Sequence, residues 1–245
     1  MGKADLHIHT TYSDGLGTVR AMLEAASRTD LDVIAITDHD EIRGALEAAD
    51  LASCYGIEVI PGTEITTRQG HLLALFVNQT FPRGRSLKET VLRVAERGGV
   101  CIAAHPTGQF IPSLTAADIA DALADPDVAR TLLGLEVYNA GLPFLRNNRN
   151  AQILGDRVGL AQLASSDSHL LWTIGLCATQ YPGTSARCLR DALEQRLTVP
   201  VIHNRPFRFF TDWTRSKVLR FAGLAYNSMA PGEEWVLRRL SSVQP

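Results

Sequence analysis

The sequence predicts a closed or nearly closed α/β barrel with a largely parallel sheet. Three observations predict it. Apolar strand-like runs alternate with amphipathic helical patterns about seven or eight times. The polar residues that could carry chemistry cluster just after the strand-like runs. No G-x-G-x-x-G follows the first strand, which weighs against the alternative, a doubly wound open sheet.

The elements follow in order. Asp5–His9 alternates polar and apolar residues, so His7, His9 and Asp5 are expected on one face and Leu6 and Ile8 on the other. Thr18–Arg28 reads as a helix with Val19, Met22, Leu23 and Ala26 on one side. Asp32–Thr37 is a continuous apolar run, as in a strand buried on both faces. Glu41–Ala52 reads as helix, Glu58–Ile60 and His71–Val77 as strands. Ser86–Arg97 reads as a helix opened by a capping box, Ser86 with Glu89, and stopped at Gly98-Gly99. Strand Val100–Ala104, helix Thr115–Leu123, strand Leu135–Tyr138, helix Asn147–Val158 and strand Ala161–Ala164 continue the rhythm. Strand Leu176–Gln180, helix Ser185–Arg196 and strand Val199–His203 complete it. These elements make one barrel domain over residues 1–203, and residues 204–245 form a C-terminal extension packed on it.

Composition bounds the function. In 245 residues, 45% hydrophobic and 20% charged, there is enough apolar material for one large core. A formal net charge of −2 gives no whole-chain signal for nucleic acid, although a local site is still open. No apolar run approaches a membrane span and the start MGKADLHIHT has no signal-peptide pattern, so the expected location is cytoplasmic. Cys54, Cys101, Cys177 and Cys188 form no C-x-x-C pair and read as free thiols of a reducing compartment.

Six of the seven histidines fall at strand-like boundaries: His7 and His9, His39 in T-D-H-D, His71 in Q-G-H, His105 in A-H-P and His169 in S-S-D-S-H. Asp14, Glu64, Glu136 and Asp167 fall there too. H-x-H alone is equally well read as a hydrogen-bonded pair. The whole set, converging on one barrel face, reads as a metal site. Imidazole and carboxylate without thiolate suit Mn, Zn or Fe, and more than four donors exceed one tetrahedral ion. Gly15, Gly62 and Gly70 are expected to give tight turns beside these donors. Asp38 and Asp40 flank His39 as candidate imidazole-orienting acceptors or as solvated surface acids. Glu136 and Asn139, in E-V-Y-N, are expected in a supporting or substrate-binding role.

H-I-H with S-D-G, then T-D-H-D, P-G-T-E-I-T-T, G-H, A-H-P and S-D-S-H, in that order, resembles the polymerase and histidinol phosphatase (PHP) family. The resemblance implies a distorted (β/α)7 barrel and a trinuclear site of two to three divalent ions. It implies that His7, His9, Glu64 and Asp167 hold one ion, and that Glu64, His71 and His105 hold a second. Asp14, His39 and His169 would hold the third. It further implies a hydrolase acting on phosphate mono- or diesters. Metal-activated water is the expected nucleophile, and Asp14, His39 or His169 are candidate proton donors to the leaving oxygen.

The expected substrate is a small phosphorylated metabolite or nucleotide. Only 33 residues separate His71 from His105, and T-G-Q-F follows A-H-P, where the nucleotide-acting subgroup has an insertion and often an arginine. Arg146 and Arg149 are candidate phosphate contacts or the solvated start of a helix. The basic and aromatic tail Asn204–Phe221 is read as packed on the barrel in preference to binding single-stranded nucleic acid. Rival readings are an exonuclease, a non-catalytic metal-stabilised or polymerase-associated module, and an amidohydrolase. No lysine at a strand end supports the last.

Overall fold

The structure is a computed structural model. It describes residues 1–142 and 145–203, and two short strands, Leu224–Tyr226 and Leu237–Arg239, which pair antiparallel. The whole tail Asn204–Phe221 lies outside the described residues, and so does the proposed boundary at 203/204.

Nine strands form one sheet: β1 (Gly2–Asp5), β2 (Val33–Ile36), β3 (Glu58–Thr66), β4 (His71–Leu75), β5 (Val100–Ala103), β6 (Leu132–Asn139), β7 (Ala161–Ser165), β8 (Cys177–Tyr181) and β9 (Val199–Ile202). Their spatial order is β7-β6-β5-β4-β3-β2-β1-β8-β9. A bridge from Ile8 to Ser168 joins the ends of β1 and β7 and nearly closes the barrel. The helices are α1 (Val19–Ala26), α2 (Arg43–Tyr55), α3 (Leu87–Ala95), α4 (Ala116–Leu123), α5 (Pro126–Ala129), α6 (Leu145–Val158) and α7 (Ala186–Gln195).

The alternation of strand and helix is as the sequence predicts, with three differences. First, β4 pairs antiparallel with both β3 and β5. Only Thr67–Gly70 separates β3 from β4, too short for a crossover helix, so the chain must turn back as a hairpin. Second, β8 runs antiparallel to β1, because the segment after β7 holds a single 3₁₀ turn (Leu171–Thr173) and no helix, and β9 in turn runs antiparallel to β8 although α7 lies between them. Third, the Ser86 side chain accepts from the Glu89 backbone N–H at 3.2 Å, but the Glu89 carboxylate pairs with Arg93 at 3.0 Å. The reciprocal capping box lies instead at Thr115 and Asp118, opening α4.

Two apolar layers fix where the site can lie. Ile34, Ile36, Leu72 and Ala74 face outward with Met22, Leu23, Ala45 and Ala48 of α1 and α2. Val33, Ala35, Ile60, Leu73, Leu75 and Ile102 face inward and meet Leu189 and Leu193 of α7, which plugs the amino end of the barrel. Aliphatic side chains therefore fill the lower barrel, and the carboxyl ends of the strands are left to the polar donors.

A candidate metal centre at the carboxyl end of the barrel

Inward parity carries His39, Glu64, His71 and Asp167 to the centre, because each lies an even number of residues from an inward apolar neighbour (Ala35, Ile60, Leu73 and Leu163). At β1 and β5 the parity slips by one. Ala4 and Leu6 are inward, but Ile8 packs on the helix side, so His7 and His9 turn inward together. β1 correspondingly ends at Asp5, and the chain beyond it pairs with the segment after β7: His9 N donates to Ser168 O at 2.9 Å. At β5 the slip occurs at His105 itself, whose φ is +29°. Asp5 does not share the histidine cluster. It accepts from the backbone N–H groups of Ser166 (3.0 Å) and Gly175 (2.9 Å).

All nine expected donors converge. Glu64 is the hub. Its Oε1 lies 2.9 Å from His71 Nδ1 and 3.0 Å from His105 Nε2. Its Oε2 lies 3.1 Å from His7 Nε2, 3.3 Å from His9 Nε2 and 3.1 Å from His39 Nδ1. Asp167 Oδ1 stands 3.5 Å from His7 Nε2 and 3.2 Å from His9 Nε2. Asp14 faces His169 Nε2 at 3.0 Å, His9 Nδ1 at 3.5 Å and His39 Nε2 at 3.8 Å. Four overlapping groups have donor atoms within 4.8 Å of one another: His9, Asp14, His39 and His169; His7, His105 and Asp167; His7, His9 and Glu64; and His39, Glu64 and His71.

These donors fit divalent cations. Nε2 of His7, Nε2 of His9, Nδ1 of His71, Oδ1 of Asp14 and Oε2 of Glu64 are all buried and make no properly directed hydrogen bond. Such atoms are costly in a protein interior unless something positive sits between them. The charges agree. Burial opposes charge on Glu64, but His7 and His39 outweigh it and hold the carboxyl well below its ordinary range. Burial likewise opposes ionisation of Asp167 and Asp14, and the facing imidazoles reverse it in both. His7 shows the complement: burial disfavours its charge, yet Asp167, Glu64 and Glu136 raise its pKa well above the usual value. A cation at its Nε2 would supply the positive charge those carboxylates call for.

Supporting groups orient the donors. Glu136 is fully buried; its Oε1 is 2.9 Å from His7 Nδ1, and its Oε2 accepts from His105 N at 2.7 Å. His7 is thereby set to present Nε2 to the centre. Asn139, a candidate substrate contact, is also fully buried, and its amide donates to Glu136 (3.0 Å) and Asp167 (3.2 Å). It braces a donor. Asp38 is buried and accepts from Thr10 N (2.7 Å), Thr10 Oγ1 (2.7 Å) and Ser13 Oγ (2.6 Å), fixing the loop that carries Asp14. Asp40 accepts from Thr66 N at 2.8 Å. Neither orients an imidazole. The glycines act by close approach: a Cβ on Gly15 would lie 2.2 Å from His9 O. Arg146 and Arg149 sit on the outer stripe of α6 with Asn150 and Ile153, lining an open cavity of about 540 Å³.

Two buried groups give a pH signature to the metal-free protein. His9 is lowered to about 4 by burial and by the neighbouring His169, so alone it costs stability as pH falls below about 6.5. Asp5 is raised to about 6 by burial, so the fold takes up a proton there and gains stability as pH falls from about 6. Between pH 4.5 and 6 the two slopes oppose. Asp14, Glu64 and Asp167, held ionised in the fold, add their own loss of stability toward the acid end of that window, so denaturant midpoints of the chelated protein are compared between variant and wild type. Asp5→Asn should uncover the His9 slope, up to about 1.4 kcal/mol per pH unit. Parallel profiles for the two proteins would contradict the assignment.

The convergence of imidazoles and carboxylates matches a known pattern. The family model for the PHP domain fits residues 5–197. The chain belongs to the PHP domain family. It is a PHP-type phosphoesterase, a metal-dependent hydrolase of phosphate-ester bonds. Over 149 residues it is 39% identical to the protein MJ1587 of Methanocaldococcus jannaschii, covering 56% of this chain and 82% of that one. Over 132 residues it is 36% identical to a 5′-3′ exoribonuclease of Haemophilus influenzae, covering 52% of this chain and 47% of that one. In fold, this PHP chain is similar to a two-domain Bacteroides vulgatus protein that contains a PHP-like domain. The TM-score is 0.66 at 21% identity, over 96% of this chain and 74% of that one.

In this PHP chain no helix among the described residues is long and apolar enough to cross a membrane. Cys101 and Cys177 are buried, and none of the four cysteines is joined to another by a disulfide.

Proposed function

We propose that the centre is trinuclear and hydrolyses a phosphate mono- or diester of a small phosphorylated metabolite or nucleotide. The observation that supports this best is Glu64, with five imidazole nitrogens within 3.3 Å of its two oxygens. One carboxylate with so many neighbours suits a bridging role between ions. His7, His9, Glu64 and Asp167 would hold one, Glu64, His71 and His105 a second, and Asp14, His39 and His169 a third. Mn, Zn and Fe all suit the donor set.

When bound, such ions supply an activated water and positive charge for the phosphoryl oxygens. The chain's residues do the rest. His7, His9, Glu64 and His105 are buried and form the rigid floor, where little rearrangement accompanies reaction. Asp14, His39 and His169 keep 21–30% of their side chains exposed and form the side that meets incoming substrate. The leaving oxygen departs toward this more open side. Asp14, held ionised by His169, acts as an acceptor and not as an acid.

The test is a phosphate-release screen on metal-loaded protein over sugar phosphates, nucleotides, bisphosphates and cyclic phosphates. Release from at least one class is expected. Asp167→Asn should lower turnover on it by about 10³-fold or more with unchanged far-ultraviolet circular dichroism. An unaffected rate in that variant would contradict the proposal.

A further inference from the structure

An imidazole that gives Nε2 to a cation carries its proton on Nδ1, and that proton needs an acceptor. His7 turns Nδ1 to the Glu136 carboxylate at 2.9 Å, and His169 turns Nδ1 to the backbone oxygen of Asp167 at 3.0 Å. His105 meets a neutral hydroxyl instead: its Nδ1 lies 3.2 Å from Ser113 Oγ. On its other side Nε2 lies 3.0 Å from Glu64 Oε1. His105 is buried and its φ is +29°. A side chain on so strained a backbone takes its direction from its contacts.

Ser113 lies in the loop after β5, and the chain on both sides of it is anchored. Pro112 O accepts from His71 N at 3.2 Å, and Leu114 O accepts from Thr107 N at 2.9 Å. The Leu114 side chain is fully buried in the apolar layer that faces the helices. Two glycines let the loop come this close. A Cβ on Gly70, in the hairpin leading into β4, would lie 2.4 Å from Leu114 N. A Cβ on Gly108 would lie 2.4 Å from Ser113 Oγ itself. The hydroxyl therefore stands at a fixed place beside the His105 ring, and the residue before it grips the backbone of His71. His71, His105 and Glu64 are the donors proposed above for the second ion.

We infer that Ser113 is a positioning residue for the second ion: its hydroxyl accepts from His105 Nδ1–H, fixes the tautomer that leaves Nε2 to the ion, and through Pro112 keeps His105 in register with His71. The inference rests on the assignment of Glu64, His71 and His105 to one ion. The hydroxyl is neutral, so it orients the ring without adding to the negative charge that Glu64 already brings. Alanine at this place would leave the Nδ1–H of a buried ring without its acceptor and free the ring to turn or to change tautomer.

A zinc titration of the chelated protein, followed by heteronuclear magnetic resonance of ¹⁵N-labelled histidine side chains, tests it. In the wild type, zinc should shift His105 Nε2 and leave Nδ1–H in slow exchange with water. Ser113→Ala should lose the slow Nδ1–H and weaken zinc at His105 about 10–100-fold. Gly108→Ala keeps the serine but drives its hydroxyl off the ring, so it should weaken zinc there about tenfold. The double variant Gly108→Ala/Ser113→Ala should then bind zinc no more weakly than Ser113→Ala, because both changes remove one and the same hydrogen bond. Losses that add in the double variant, or a Ser113→Ala protein with wild-type zinc affinity and wild-type Nδ1–H exchange, would overturn the inference and leave the ion assignment standing. A wild type whose His105 Nε2 does not move with zinc would overturn the ion assignment, and this inference with it.

Discussion

Glu64→Gln should empty the centre. The substitution keeps the side chain's size but removes the one negative charge that five imidazoles share. It also puts an N–H donor where two or three ring nitrogens expect an acceptor or a cation. Truncating one partner of a buried charge cluster costs about 3–5 kcal/mol, because the remaining groups stay buried without compensation. Affinity for the tightest ions should fall by at least about 100-fold, and turnover by about 10³-fold. Calorimetric titration of the chelated protein measures the first and phosphate release the second. A variant that binds and turns over like the wild type would remove Glu64 from the centre.

Glu136→Ala should be nearly as damaging, although Glu136 belongs to none of the four donor groups. Its carboxylate holds His7 Nδ1 on one oxygen and the strained backbone of His105 on the other. Removing it frees the His7 ring to change tautomer and leaves the His105 N–H buried without its acceptor. Metal affinity should fall about 10–100-fold. Glu136→Gln should recover part of it, since the amide oxygen can still accept from His7, while the amide nitrogen meets the His105 N–H badly. The order wild type, Gln, Ala in metal affinity is the expected result. Identical affinities for all three would show that His7 is oriented by other means.

Much of the centre was legible in the sequence because the strand period carries the information directly. Glu64 and His71 lie on strands whose inward parity runs unbroken from the apolar core to the donor, and His39 and Asp167 keep that parity just past theirs. H-x-H in His7 and His9 likewise needed only that residues two apart face the same way. The parity slips at β1 and β5 were not legible, since an extended backbone that changes its pairing partner keeps the same composition. That is why Asp5 was expected beside the histidines and instead holds Ser166 and Gly175.

The hairpin direction of β4 is readable from the four residues Thr67–Gly70, too few for a crossover helix, whereas the composition of His71–Val77 fits a strand of either direction. Asp38 could not be told from a surface acid, because its partners Thr10 and Ser13 are polar residues of a loop that the fold alone brings close.

Metal stoichiometry tests the central claim most directly. Purified protein loaded with Mn and freed of excess ion should contain three ions per chain by elemental analysis, and Asp14→Ala should contain two while keeping the site around Glu64. One ion or none in the fully loaded wild type would contradict the trinuclear centre.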